Sequence, residues 1–208
     1  MSNQPASTEH RPSLPPHDFE SVYASGSAPW DIGRPQPAFA TLAEVGGLVG
    51  RVLDVGCGTG EHVLLAASLG HSAVGVDLAS NAIETARAKA SDRGLAARFF
   101  VADALRLSEL GEEFDTVLDC GLFHVFDDDY RAQFVNSLAS ILPAGGRYHM
   151  LCFSDRQPGD WGPRRITQDE IRASFAVGWN VDTIEPAVME ITIDPDGVQA
   201  WQVSAFRI

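Results

Sequence analysis

Residues 52–60 read Val-Leu-Asp-Val-Gly-Cys-Gly-Thr-Gly, and no other stretch restricts the possible folds as strongly. Branched apolar residues around Asp54 favour a short buried strand. The glycines that follow let the backbone pass through positive φ and leave no side chain between the turn and a ligand. A helix is expected from Glu61 to about Leu69, stopped by Gly70. Its free N–H groups and partial positive charge therefore lie beside the turn, ready for an anion.

The pattern then repeats. Ser72–Asp77 is a second strand, followed by a helix over 79–94 with Ser80 or Asn81 as cap. Strands are expected over 97–103 and 114–120. A helix from about Asp128 to Leu142 is broken by Pro143, and residues 145–153 form a fifth strand. Another helix starts near Thr167, with Glu170 as capping-box partner. Two last strands, near 179–193 and 199–207, flank Asp194-Pro195-Asp196-Gly197, which reads as a turn. Five β-α units imply a doubly wound α/β fold with a mostly parallel sheet and right-handed crossovers. The closing pair should be antiparallel to each other, making seven strands. Residues 18–208 read as one domain, preceded by a polar, Pro-rich tail over 1–17 read as disordered. Within 18–45, Phe19, Val22 and Tyr23 share a helical face capped by Asp18; Pro29, Pro35 and Pro37 then exclude helix, and Phe39, Leu42 and Val45 resume it.

Composition narrows the function. The net charge is −13, and Arg164-Arg165 is the one basic pair that stands out. A surface of that sign repels polyanions, so nucleic acid is not an expected partner. No apolar run is long enough for a bilayer and no signal peptide opens the chain, so a cytoplasmic protein without membrane contact is expected. Three widely spaced cysteines suggest neither a disulfide framework nor a zinc site, and no metal is expected. Asp127-Asp128-Asp129 reads as a helix cap with an acidic first turn. The oligomeric state is not legible.

The glycine spacing separates cofactors. A dinucleotide fingerprint needs G-x-G-x-x-G, but counting from Gly56 puts Glu61 where the third glycine belongs, a carboxylate facing the pyrophosphate. Asp77, ending the second strand, can accept from both ribose hydroxyls of either cofactor, or simply cap a turn. Asp54 followed by Gly56, Gly58 and Gly60 resembles motif I of the class I S-adenosylmethionine (SAM)-dependent methyltransferases, whose frame is a parallel sheet with an antiparallel edge. The resemblance implies that the loop, with Cys57, holds the methionyl part of SAM. It further implies that Asp77 and Leu78 flank the ribose, and that Asp103 and Ala104 receive the adenine.

In that family the end of the fourth strand faces the methyl acceptor. Here it reads Cys120-Gly121-Leu122-Phe123-His124. Cys120 and Gly121 allow close approach to the sulfonium, and Phe123 is expected to wall the acceptor pocket. His124 is expected as the base, since a free imidazole titrates near ~6.5; the alternative is a buried histidine satisfied by a backbone carbonyl. Pro29-Trp30-Asp31-x-Gly33-Arg34-x-x-Pro37 resembles the N-terminal segment of the thiol, halide and thiopurine methyltransferases. Together with Leu122-Phe123-His124, it resembles the bacterial heterocyclic toxin methyltransferases, which methylate hydroxyls on quinolone-type rings. That likeness implies a lid over 18–45, with Trp30 beside the cationic sulfur or, alternatively, anchoring the segment to the core. Tyr23, Phe19, Phe153 and Trp161 could complete an aromatic pocket. Arg34 is left between an anionic ligand and Asp31. The expected activity is in-line methyl transfer from SAM to an aromatic hydroxyl, a nitrogen or a thiol on a small molecule, with hydroxyl and thiol foremost. A nicotinamide oxidoreductase and a non-catalytic SAM-binding protein are the alternatives.

Overall fold

The computed structural model describes residues 19–208, Ser27 excepted. The tail over 1–17 and the Asp18 cap lie outside the described residues.

Seven strands form one sheet in the order β3-β2-β1-β4-β5-β7-β6. They are β1 (Arg51–Val55), β2 (Ser72–Asp77), β3 (Ala97–Val101), β4 (Thr116–Cys120), β5 (Arg147–Phe153), β6 (Trp179–Ile191) and β7 (Asp194–Arg207). The first five are parallel; β7 runs antiparallel to both β5 and β6. The reversed strand thus lies one place inside the edge. The chain winds outward from β1 in one direction and from β4 in the other, so a crevice opens between their carboxyl ends, where doubly wound sheets bind ligands.

Among the described residues six helices flank the sheet: α1 (Phe19–Ala24), α2 (Pro37–Glu44), α3 (Glu61–Ser68), α4 (Ser80–Asp92), α5 (Asp128–Ala139) and α6 (Gln168–Ser174). One face packs Phe39 of α2, Val63 of α3 and Ile83 of α4 against Val52 and Leu118. The other packs Phe134 of α5 and Ile171 of α6 against Leu53, Val55 and Val117. Strand alternation explains the split, because successive side chains point to opposite faces. It also places Asp54 on the α3 face.

Two expectations about turns need correction. Asp194–Gly197 lies inside β7, and the hairpin turns at Thr192-Ile193 instead, with Ile191 opposite Asp194. Glu190 therefore faces three residues, and the bulge is accommodated by Gly197 at φ +67. Neither Ser80 nor Asn81 caps α4 with its own side chain. Glu20 of α1 does so from outside: its carboxylate accepts from the Ser80 N–H (2.7 Å), the Ser80 hydroxyl (2.9 Å) and the Asn81 N–H (3.2 Å). The Asp127 cap on α5 and the Thr167–Glu170 capping box on α6 form as expected.

Candidate active site

The glycine turn is pinned to the end of β2. Gly56 and Cys57 both donate to the Val76 carbonyl, at 2.8 and 2.9 Å. Asp77 braces it from below, accepting from Gly58 N (2.9 Å) and Ala79 N (2.8 Å). Gly58 has φ +49, and a Cβ there would collide with the Tyr23 hydroxyl at 2.4 Å. Only glycine lets α1 close on the turn.

A cavity of about 720 Å³ opens along the carboxyl edge of the sheet. Asp77, Leu78, Ala102, Asp103 and Ala104 line one end, with Phe19 above them. Asp103 accepts from Leu105 N at 2.9 Å and so starts the 3₁₀ segment Ala104–Leu110 after β3. Burial holds the Asp77 carboxyl above its usual value against the backbone bonds that lower it. A second cavity of about 50 Å³ adjoins the first and is lined by the turn from Gly56 to Gly60 and by Cys57, Asp31, Arg34 and Cys120. The sites expected from Gly56, Cys57, Gly58, Gly60, Asp77, Leu78, Asp103, Ala104 and Cys120 thus converge on two contiguous spaces.

Asp54 is different. It lines neither cavity, its side chain is sealed from water, and neither oxygen has a hydrogen-bond partner among the described residues. His62 Nδ1 lies 3.5 Å from its carboxylate. His62 in turn accepts from the Gln36 N–H at 3.1 Å through Nε2, joining β1, α3 and the N-terminal segment. A buried carboxylate left one layer beneath a glycine turn fits a site that receives a cation above it. The sequence reading missed His62 and Gln36, since neither belongs to a spacing pattern. Glu61, whose carboxylate disfavours a dinucleotide at this turn, lines the small cavity and pairs with Lys89 and Arg93. Burial alone would raise its carboxyl, but bonds from Arg93 and Lys89 at 2.8 and 2.9 Å outweigh that and hold it below the usual range.

The N-terminal segment closes over both spaces. Trp30 Nε1 donates to the Tyr23 hydroxyl at 2.8 Å, and the Trp30 ring meets Phe19 and Tyr23 edge-on, each at 6.0 Å. Thr59 donates to Asp31 at 2.9 Å, and the Thr192 N–H donates to the Pro29 carbonyl at 2.8 Å. Arg34 pairs with Glu190, not with Asp31.

The other end of the large cavity is apolar. Cys120, Gly121, Leu122, His124, Phe126, Phe153, Trp161, Met189, Ile191 and Ile193 line it. Phe123 does not, which corrects the expectation that it walls the pocket. The 3₁₀ turn over 123–125 drives Phe123 into the core, where it stacks on Phe175 at 5.9 Å under the Arg131 guanidinium. Asp119 sets that turn by accepting from the N–H groups of Leu122 (2.8 Å) and Phe123 (3.2 Å) and from the Tyr148 hydroxyl (2.7 Å).

His124 faces the cavity, but not as a base. Its Nδ1 accepts from the Phe153 N–H at 3.0 Å. The neutral ring therefore carries its proton on Nε2, the remaining nitrogen, with no lone pair free to take another. Burial, helped by Arg165, pushes its pKa down to about 3. Both the expected base and the alternative of a backbone-carbonyl partner give way to this arrangement: the backbone partner is a donor.

Residues 52–146 match the family model described as "Methyltransferase domain". A 2-heptyl-1-hydroxyquinolin-4(1H)-one methyltransferase of Mycobacteroides abscessus is 36% identical over 202 residues, covering 91% of this chain and 88% of that protein. The chain belongs to the SAM-dependent methyltransferases. This methyltransferase is also 32% identical to a probable thiol methyltransferase of Arabidopsis thaliana, over 73% of its own length and 68% of the relative's. A solved structure described under "Conversion of a Disulfide Bond into a Thioacetal Group during Echinomycin Biosynthesis" superposes with a TM-score of 0.81 at 38% identity, covering 91% of each chain. Membership sets aside the nicotinamide reading.

Proposed function

We propose that this methyltransferase transfers the methyl group of SAM to a hydroxyl or thiol on a flat, apolar small molecule. The observation that carries the proposal is the contrast between the two ends of the large cavity. Its charged lining residues, Asp77 and Asp103, sit together at one end, while the other is aromatic and aliphatic with His124 as its polar side chain besides the Cys120 thiol. A ring suits the second end and an adenosyl group the first. The relatives support this choice, since one methylates a hydroxyquinolone and another is named for thiols.

Asp77 would hold the ribose, and Asp103 with Ala104 the adenine. The smaller cavity offers Asp31 and Arg34 to the ammonium and carboxylate of the methionyl end. When bound, SAM supplies a methyl group on a positively charged sulfur, already activated for displacement. What remains for the chain is to align the acceptor, worth up to ~7–11 kcal/mol in well-oriented systems, and to exclude water. Residues 18–45 serve as the lid that does so, with Trp30 and Tyr23 closing over the turn and Phe153 and Trp161 walling the acceptor.

The test is incubation with labelled SAM and a panel of aromatic hydroxyls and thiols, with products read by mass spectrometry. Methylated ring hydroxyls or thiols are expected. Binding of SAM with no transfer to any of them would favour the non-catalytic alternative.

A further inference from the structure

The structure uses the two members of Arg164-Arg165, the basic pair that stands out in the sequence, differently. Arg164 is bound to Asp128 at 2.7 Å and to Glu170. Arg165 forms no ion pair among the described residues. Its guanidinium donates to the carbonyls of Pro163 (2.7 Å), Gln157 (3.3 Å) and Gly159 (3.4 Å), which hold the loop but leave the charge uncompensated. It lies 5.3 Å from the ring centre of Phe153 and 5.7 Å from that of Trp161. These two rings wall the acceptor end of the cleft. In a chain of net charge −13, an unpaired cation behind that wall is a local attraction for negative charge. His124 points the same way, because the hydrogen bond from the Phe153 N–H leaves Nε2–H as the ring's donor on a residue that lines the cavity.

We infer that the acceptor binds as its anion: an acidic ring hydroxyl or a thiol that has already given its proton to water, held by the Nε2–H of His124 and by the field of Arg165. This rests on the reading of the cleft as a methyl-acceptor site. The acceptor's proton goes to solvent on ionisation, so the lone pair that forms the new bond to carbon is free. The pair from the broken carbon–sulfur bond stays on sulfur, and no proton is left for the enzyme to place. His124 then binds the charged ground state more strongly than a transition state in which that charge is disappearing. Its loss should therefore appear in KM more than in kcat. The charged and titratable groups around the imidazole fit this role. Arg165 comes from the loop after β5, and Cys120 from β4 carries a thiol pushed well above its usual value by burial. Met189 of β6 and Phe153 of β5 bring no charge, Tyr23 and Asp31 belong to the lid, and Asp77 and Asp103 sit at the far end of the cavity.

The experiment measures kcat and KM from about pH 5 to 10 for an N-hydroxyquinolone, 4-nitrophenol, phenol and thiophenol. The rising limb of kcat/KM is expected to follow each acceptor's own ionisation. One common midpoint for acceptors of different acidity would overturn the inference, because it would report an enzyme base. Failure to methylate any of them would instead sink the methyl-acceptor reading, so the two failures are distinct. His124→Gln keeps an N–H donor and should stay within about three-fold of wild type in KM. His124→Phe should raise KM about ten-fold or more with a smaller change in kcat. An equal fall in kcat for both variants, with the pH limb lost, would count against a donor. As a readout independent of turnover, the absorbance of 4-nitrophenol bound beside S-adenosylhomocysteine should show ionisation at lower pH than in water. Arg165→Gln should remove that shift. A probe bound as the neutral phenol, or not bound, overturns the inference.

Discussion

His124 and His149 are both largely buried, and each resists protonation chiefly for that reason. Burial with Arg165 lowers one to about 3, and burial with Arg147 lowers the other to about 4. In the unfolded chain both titrate near ~6.5, so the unfolded state takes up protons first as the pH falls. Stability is therefore intact above ~6.5 and is lost toward the folded values, by up to ~1.4 kcal/mol per pH unit per histidine. Asp119 works in the opposite sense. Burial raises its carboxyl to about 7, so its contribution falls as the pH rises from ~4 toward 7. Because the two drifts oppose each other, a difference measurement is needed. Urea unfolding of wild type and His149→Gln at pH 6.5 and 4.5 should show the variant losing less, by up to ~2.7 kcal/mol. An identical pH dependence would mean that His149 is protonated in the folded state. Asp77 yields a second prediction at this scale. It braces the turn through two N–H groups and lines the end of the cavity proposed for the adenosyl group. Asp77→Ala should weaken S-adenosylhomocysteine binding by roughly ten- to a hundred-fold in calorimetry.

Between elements, the most informative contact is Glu20 on α4. A helix start with no capping side chain of its own takes one from α1, so the same carboxylate stabilises α4 and anchors the N-terminal segment. The Asn81 amide adds a bond to the Glu20 carbonyl at 2.7 Å. Substitution by alanine at an N-cap costs about 0.5–2 kcal/mol. Glu20→Ala is therefore expected to leave the domain folded while raising the dissociation rate of S-adenosylhomocysteine several-fold, as stopped-flow tryptophan fluorescence would report. A rate equal to wild type would show that α1 does not gate the cofactor. The 155–165 loop is organised comparably, with Arg165 holding three carbonyls and Trp161 edge-on to Phe153 at 6.0 Å. Trp161→Ala should raise the acceptor KM and leave S-adenosylhomocysteine affinity within about two-fold, since the ring lies at the other end of the cavity. Equal losses for both ligands would place Trp161 in general packing.

For the whole molecule, the glycine turn, the N-terminal segment and the β6–β7 hairpin meet around one cavity, so a ligand there binds elements that unfolding separates. S-adenosylhomocysteine at a hundred times its Kd should add about 2.7 kcal/mol and raise the Tm by roughly 5–10 °C. A smaller rise in Asp77→Ala at the same concentration would tie the effect to this site. The architecture itself was readable because it rests on local rules. Short runs rich in apolar residues and buried on both faces mark β1, β2, β4 and β5, and the glycine turn marks where they open. Thr167–Glu170 and Asp127 announce their helices through side chains that bond within a single turn. Asp194–Gly197 misled for an instructive reason: its residues suit a turn, but pairing with β6 absorbed them as a bulge in β7. Phe123 and His124 mark the same limit at the site. They are neighbours in sequence, yet a 3₁₀ turn set by Asp119 and Tyr148 sends one into the core and the other into the cleft. Sequence alone therefore determined the fold, which follows from backbone conformation and short-range spacing, and pointed to the cofactor through the resemblance of its glycine turn to a methyltransferase motif. Tertiary structure alone decided which nitrogen of His124 carries the proton, which arginine stays unpaired and what caps α4. Each of those depends on a partner far away in the chain, whose position only packing can set.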